Sequence, residues 1–245
     1  MKQKLLALAL LSCAASFSFA NDAAPHWTYG EVKEWAELAP AYAECKIGKA
    51  QSPIDIQTKA VQKANLSPIK TAYKAAAAEV VNNGHTIQVN LTDAGTATVP
   101  SGQYQLLQFH FHTPSEEKIN GKNFPLVAHL VHKNAEGKLA VIAVLFKEGK
   151  ENPALTSIFA TMTPKEDKAA LPAQFDATTL LPSTLGYYAF TGSLTTPPCS
   201  EGVAWQVLNT PVEISKAQLA AFHKIYKMNA RPVQPLNGRV VQESN

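Results

Sequence analysis

Two short runs of alternating residues restrict this chain more than any other feature. The first ends Gln108-Phe109-His110-Phe111-His112 and the second reads Val127-Ala128-His129-Leu130-Val131-His132, so together they hold four of the seven histidines. A strand turns successive side chains to opposite faces. Over 105–112 this places Gln108, His110 and His112 on one face and Leu107, Phe109 and Phe111 on the other. The phenylalanines belong to a core, and the histidines therefore face a site. Over 125–132, Val127, His129 and Val131 share one face while Ala128, Leu130 and His132 share the opposite one. Only one histidine of the second run can join the pair on the first.

Turn signals divide the rest of the chain into short strands. Asn82-Asn83-Gly84 separates 78–81 from 86–91, Asp93-Ala94-Gly95 leads into 96–99, and Ser101-Gly102 leads into the first histidine run. Asn120-Gly121-Lys122-Asn123 parts the two histidine runs. Asn134-Ala135-Glu136-Gly137 then precedes 139–146, whose nearly continuous apolar run suits a central strand. Turns this short make successive strands antiparallel neighbours, which lets His129 lie across from His110 and His112. Asn152-Pro153 starts a helix that runs to about Met162, by a capping side chain followed by proline at the first helical position. Ser215 and Gln218 form a capping-box pattern opening a second helix with Leu219, Phe222 and Tyr226 on its buried stripe. His223 sits beside that stripe with no partner in view and reads as structural or solvent-facing. Residues 21–57 are irregular, with a short helix at 31–38 and aromatic anchors Trp27, Tyr29 and Trp35, and the tail 231–245 is extended. The expected class is α+β and β-dominated: a large, mostly antiparallel central sheet with peripheral short helices.

Met1-Lys2-Gln3-Lys4, the apolar 5–11 and the small-x-small Ser18-Phe19-Ala20 make residues 1–20 read as a secretory signal peptide. A single domain over 21–245 and a periplasmic or secreted location follow as expectations. A rival reading makes Cys13, after Leu10-Leu11-Ser12, a lipidated anchor. No later run is long and apolar enough to cross a bilayer as a helix. The formal net charge is only +3, with Lys2 and Lys4 in the leader, which leaves no basic field for nucleic acid or an anionic surface. Beyond the leader stand Cys45 and Cys199. In an oxidising compartment such a pair reads as a disulfide closing a long loop, the alternative being two free buried thiols.

Three neutral imidazoles converging from two adjacent strands, with no fourth protein ligand in sight, describe a catalytic zinc site with an open position for water. His110-x-His112 alone is a weak signal, since two histidines at that spacing also stack on a sheet surface. With Glu116 following after three intervening residues, the pair also matches the first metal motif of cupins, and imidazole suits iron or manganese as well. The cupin pattern, however, needs a glycine where Asn123 stands, and no second cupin motif follows.

These residues belong to a longer series. His26-Trp27-x-Tyr29-Gly30, Gln51-Ser52-Pro53-Ile54-Asp55, Asn83-Gly84-His85, Gln108 to His112, His129-Leu130-Val131-His132, Gly192-Ser193-Leu194-Thr195-Thr196-Pro197-Pro198-Cys199 and Arg231-Pro232-x-Gln234-Pro235-Leu236 occur in this order. In them the chain resembles the α-class carbonic anhydrases of the secreted bacterial kind, over nearly the whole mature length. The resemblance implies zinc held by His110, His112 and His129, with His132 a buried structural residue. It implies reversible hydration of CO2 to bicarbonate and a proton, by attack of zinc-bound hydroxide and with histidine proton shuttling. Thr195 would accept the hydroxide's hydrogen and Glu116 would fix the Thr195 hydroxyl. Val131, Val141, Leu194 and Val203 would line the CO2 pocket, with Thr196 beside them. His85 would carry the proton outward, and Tyr29, Asn83 and Gln88 would order the waters between. Cys45 and Cys199 match the disulfide of secreted members. Bacterial members are often dimers, so a homodimer is a further implication.

Two departures stand out. The residue two before the third zinc histidine is usually a glutamate that accepts that ligand's other N–H, and here it is Val127. Losing such a partner costs about 10- to 100-fold in metal affinity or activity, or roughly 1.4 to 2.8 kcal/mol. Zinc sites of the structural kind bind with about 10 to 16 kcal/mol, so weakened but retained metal is expected, with a water or a rotated Gln108 standing in. The second departure is Glu117, where the family often has histidine; its role is not legible. These changes keep open an alternative function as a weakly active or inactive relative that serves as a binding protein. Ester hydrolysis by the same hydroxide is a third option, with no ester-specific pocket visible.

Overall fold

The computed structural model describes residues 25–244. The leader over 1–20 and Cys13 lie outside the described residues. Ten strands form the main path of one large sheet: β1 (Gln62–Ala64), β2 (Ala77–Asn82), β3 (Ile87–Thr92), β4 (Gly102–His112), β5 (Leu126–Lys133), β6 (Leu139–Glu148), β7 (Asp167–Ala170), β8 (Tyr187–Ser193), β9 (Glu201–Leu208) and β10 (Gln242–Ser244). Their spatial order is β7-β2-β3-β4-β5-β6-β9-β8-β10-β1. Pairing along this path is antiparallel except at β6–β9 and β10–β1, which are parallel. The β-dominated, mostly antiparallel expectation therefore holds, and β3, β4, β5 and β6 are successive antiparallel neighbours, but the 96–99 run, expected beside β3, pairs with β4 instead.

The two faces of the sheet carry different cores, and strand parity decides which residue goes where. On β5 and β6, Leu126, Ala128, Leu130, Ala140, Ile142, Val144 and Phe146 join one cluster. Val127, Val141, Ala143 and Leu145 join the other. This is why 139–146 is apolar at nearly every position: β6 is covered on both sides. Two helices pack on the first face, α1 (Pro153–Thr161) through Leu155 and Ile158 and α2 (Lys216–His223) through Leu219 and Phe222. Asn152 caps α1 with Pro153 in its first turn, and Ser215 and Gln218 close the capping box of α2, each such cap contributing about 1 kcal/mol. Ile54, Ile56 and Val241 cover the second face from the chain ends.

One parity expectation fails. Leu107 was placed with Phe109 and Phe111 on the core face, yet it is 38% exposed and Leu106 is fully buried. The register between β4 and β5 shifts at this point, with Val131 opposite Gln108 and His132 opposite Leu106. Leu107 is the extra residue of a β-bulge, and a bulge reverses the alternation on the side beyond it.

Candidate metal centre

His110 and His112 stand on β4 and His129 on β5, and the register sets His129 opposite His110 and Val127 opposite His112. One nitrogen from each of the three rings lies within 4.8 Å of the others. On every ring the remaining nitrogen is engaged. Nδ1 of His110 meets Gln108 Oε1 at 2.9 Å, Nδ1 of His112 meets the Asn229 carbonyl oxygen at 2.7 Å, and Nε2 of His129 meets the Glu117 carboxylate at 3.1 Å. These oxygens accept, so each engaged nitrogen donates its hydrogen and the opposite nitrogen keeps a lone pair. Nε2 of His112 is buried without a hydrogen-bond partner among the described residues. Such an orphan is costly, and a metal ion satisfies three inward lone pairs at once.

The electrostatics agree. Burial, helped by neighbouring His129, pushes His110 down to about 3, and burial with His129 and His110 holds His112 well below the ordinary value. Both are therefore neutral, the form that ligates. His129 differs: burial works against its charged form, but the carboxylates of Glu117 and Glu116 together outweigh it and raise the pKa. The donor set, all imidazole with no fourth protein ligand in the cluster, fits zinc with an open position.

Glu116 is buried in the loop after β4 and its Oε1 accepts the Arg231 backbone N–H at 2.7 Å. Burial pushes its carboxyl up to about 7, with Glu117 adding to the rise and the charge of His129 opposing it. The buried Thr195 hydroxyl also acts on this carboxyl and favours its charged form. Val131, Val141, Leu194 and Val203 fall in one apolar cluster on the same face as His129. The register explains it: Val131 pairs with Val141 and Val141 with Trp205, one row along the strands from His129 and Ala143. A cavity of about 530 Å³ opens beside this wall, lined in part by Leu139, Leu194 and Val203. Thr196 is half-buried in the turn after Thr195, where its carbonyl accepts the Cys199 N–H at 2.8 Å.

His85 follows the β2–β3 turn, where Asn83 Oδ1 accepts the backbone N–H groups of His85 and Thr86 at 3.0 and 2.9 Å. Its ring stacks on Trp27 at 3.7 Å between centroids, with an interplanar angle of 8°. Burial and then His26 lower its pKa. Tyr29 Oη lies 3.4 Å from Nδ1 of His112, and Gln88, opposite His110 on β3, donates to Asn90. His132 points away from the site, as parity required, and lies 2.6 Å from the Tyr73 hydroxyl. Cys45 and Cys199 form a disulfide, which excludes the alternative of two free thiols.

Two expectations are corrected. His129 was expected to lack a carboxylate partner because position 127 is valine, yet Glu117 supplies one from the neighbouring loop. Gln108 stands in for nothing, being already engaged with His110. His223 is solvent-facing, as read, and its Nε2 also lies 2.8 Å from Thr113 Oγ1. Sequence reasoning also missed Asn229, whose carbonyl orients His112 from 117 residues away, and Trp205, whose ring meets His129 edge-on at 4.9 Å. Neither carries a local signal. Trp27 was read only as an anchor, although its place in the His26-Trp27-x-Tyr29 motif was a hint of its stack on His85.

The profile described as eukaryotic-type carbonic anhydrase matches residues 30–245. A carbonic anhydrase from Klebsiella pneumoniae is 47% identical over 249 residues, covering 99% of this chain and 98% of the relative. One from Pectobacterium carotovorum is 44% identical over 248 residues, covering 98% and 99%. Among solved structures, the α-carbonic anhydrase from Thermovibrio ammonificans in complex with the inhibitor sulfanilamide superposes with a TM-score of 0.87 at 47% identity, over 89% of this chain and 99% of that one. With the family profile covering nearly all the described residues and a β-dominated sheet carrying a three-histidine cluster, the chain belongs to the α-carbonic anhydrases, enzymes that interconvert CO2 and bicarbonate.

Proposed function

We propose that this chain is a zinc-dependent carbonic anhydrase acting after export, with one catalytic domain over 21–245. The observation that supports the reading most directly is the convergence of three imidazole lone pairs, from His110, His112 and His129, within 4.8 Å and beside an apolar wall. When bound there, zinc is a Lewis acid that brings water to a pKa of roughly 7, a value established on carbonic anhydrases themselves. The rest is the work of side chains. Val131, Val141, Leu194 and Val203 hold apolar CO2 without offering it hydrogen bonds, and Thr196 borders the same space. Glu116 accepts the Thr195 hydrogen, which leaves Oγ1 of Thr195 to accept the hydrogen of the water nucleophile and so to aim its lone pair at the carbon. His85 takes up the released proton and passes it to solvent, with Tyr29, Asn83 and Gln88 ordering the waters between. Export is supported by the leader pattern and by the Cys45–Cys199 disulfide, which an oxidising compartment favours.

Stopped-flow CO2 hydration, with zinc measured on the same sample, tests this reading. Turnover should rise in proportion to zinc content, and His112→Ala should lose both. Full zinc occupancy with no hydration above buffer overturns the enzymatic reading in favour of a binding protein on the same fold.

A further inference from the structure

The outward nitrogen of His129 finds no acceptor on its own strand. The residues that share its face two positions away are Val127 and Val131, both apolar. The acceptor comes from the loop after β4, where the Glu117 carboxylate lies 3.1 Å from Nε2 with the residue fully buried. That loop is braced rather than free. Ser115 Oγ donates to the Glu117 carbonyl at 2.7 Å and accepts the Phe124 N–H at 2.9 Å, while the Ser115 N–H donates to the Phe124 carbonyl at 2.8 Å. Lys118 N–H ties the next residue to the Ile54 carbonyl at 3.2 Å. A buried carboxylate is stable only where donors meet it, and the His129 N–H is the side-chain donor it has among the described residues. An imidazole that donates from Nε2 is held as the tautomer whose Nδ1 carries the lone pair.

We propose that Glu117 is the positioning residue for His129: from the loop it fixes the ring's tautomer and orientation, a task that β5 cannot perform because position 127 is valine. The proposal rests on the zinc reading above. It makes positions 117 and 127 exchangeable, since a carboxylate at 127 would share the His129 face and approach the same nitrogen.

Zinc release into excess chelator is to be followed for the full chain, Glu117→Leu, Val127→Glu and E117L/V127E. Leucine removes the acceptor at similar volume. Glu117→Leu should release zinc about 10- to 100-fold faster, and the double variant should return to within a few-fold of the wild type. Val127→Glu alone should bring no slowing, because it sets two buried carboxylates against one N–H. Long-range 1H–15N spectra of the imidazoles, recorded with and without zinc, supply a readout independent of metal. The downfield Nε2–H signal of His129 should be present in the wild type, shift upfield or vanish in Glu117→Leu and return in the double variant. Wild-type zinc release together with an unchanged Nε2–H signal in Glu117→Leu overturns the proposal, as does equal slowing by Val127→Glu in both backgrounds. A wild type that takes up no zinc defeats the zinc reading instead, and the metal-free spectra still decide whether Glu117 holds the ring.

Discussion

The proton relay proposed for His85 needs a ring that is placed but not enclosed, and its neighbours supply that condition. The Trp27 stack and the Asn83 turn hold it, while only part of the ring is buried. Its pKa is lowered by burial first and His26 second, so the neutral, proton-accepting form prevails at neutral pH. His85→Ala should slow CO2 hydration in dilute buffer on the order of 100-fold with zinc content unchanged, and added imidazole should restore part of it. Turnover that stays the same in dilute buffer rules the role out. In dilute buffer the acid limb of the wild-type kcat profile, which reports the relay and not the nucleophilic water, should have its midpoint below about 6.5, the ordinary histidine value. At this scale the sequence was legible where chemistry depends on residue type and parity, as for the three histidines facing one way and His132 the other. It was misleading at Val127, because a missing carboxylate on one element does not reveal the one arriving from another.

At the scale of elements, alternation and capping carried most of the structure. Asn152-Pro153 and Ser215 with Gln218 start helices where their side chains satisfy free backbone N–H groups, a local cause with a local signature. The bulge at Leu107 has no such signature, because it arises from how β4 must curve against β5. Close approach between elements is equally silent. Gly192 on β8 leaves no room for a side chain: a Cβ there would collide with Ser52 Oγ and come within 2.9 Å of Trp205 Cδ1. Ser52 and Ser193 are joined by two hydrogen bonds at this point, 2.9 and 3.1 Å, and the Trp205 indole donates to the Ser193 carbonyl at 3.1 Å. Gly192→Ala should cost about 1 to 3 kcal/mol by overpacking, read from the urea midpoint, and should perturb Trp205 fluorescence. A midpoint within error of the wild type shows that Ser52 can move aside.

Over the whole molecule, the Cys45–Cys199 disulfide joins residues 154 apart and anchors the turn that carries Thr195 and Thr196. Around it, Gln51 Nε2 donates to the Cys199 carbonyl at 2.9 Å, and Arg231 donates to Gln51 and to the carbonyls of Ser52 and Cys45. The same Arg231 offers its backbone N–H to Glu116. Closing so long a loop restricts the unfolded chain, and Cys45→Ser with Cys199→Ser should lower stability by about 2 to 5 kcal/mol. Because Thr195 rides on the same turn, CO2 hydration per bound zinc should fall as well, and hydration that persists in full would separate the disulfide from the site. The alternating strands, the capped helices and the inward histidines were determined by the sequence itself. Each rests on residue type and spacing within a few positions. Only the tertiary structure decided that Cys45 and Cys199 are joined, that Asn229 orients His112, that Trp205 backs His129 and that the Glu117 carboxylate meets His129. Those contacts join loops and strands by approach in space, for which spacing along the chain carries no record.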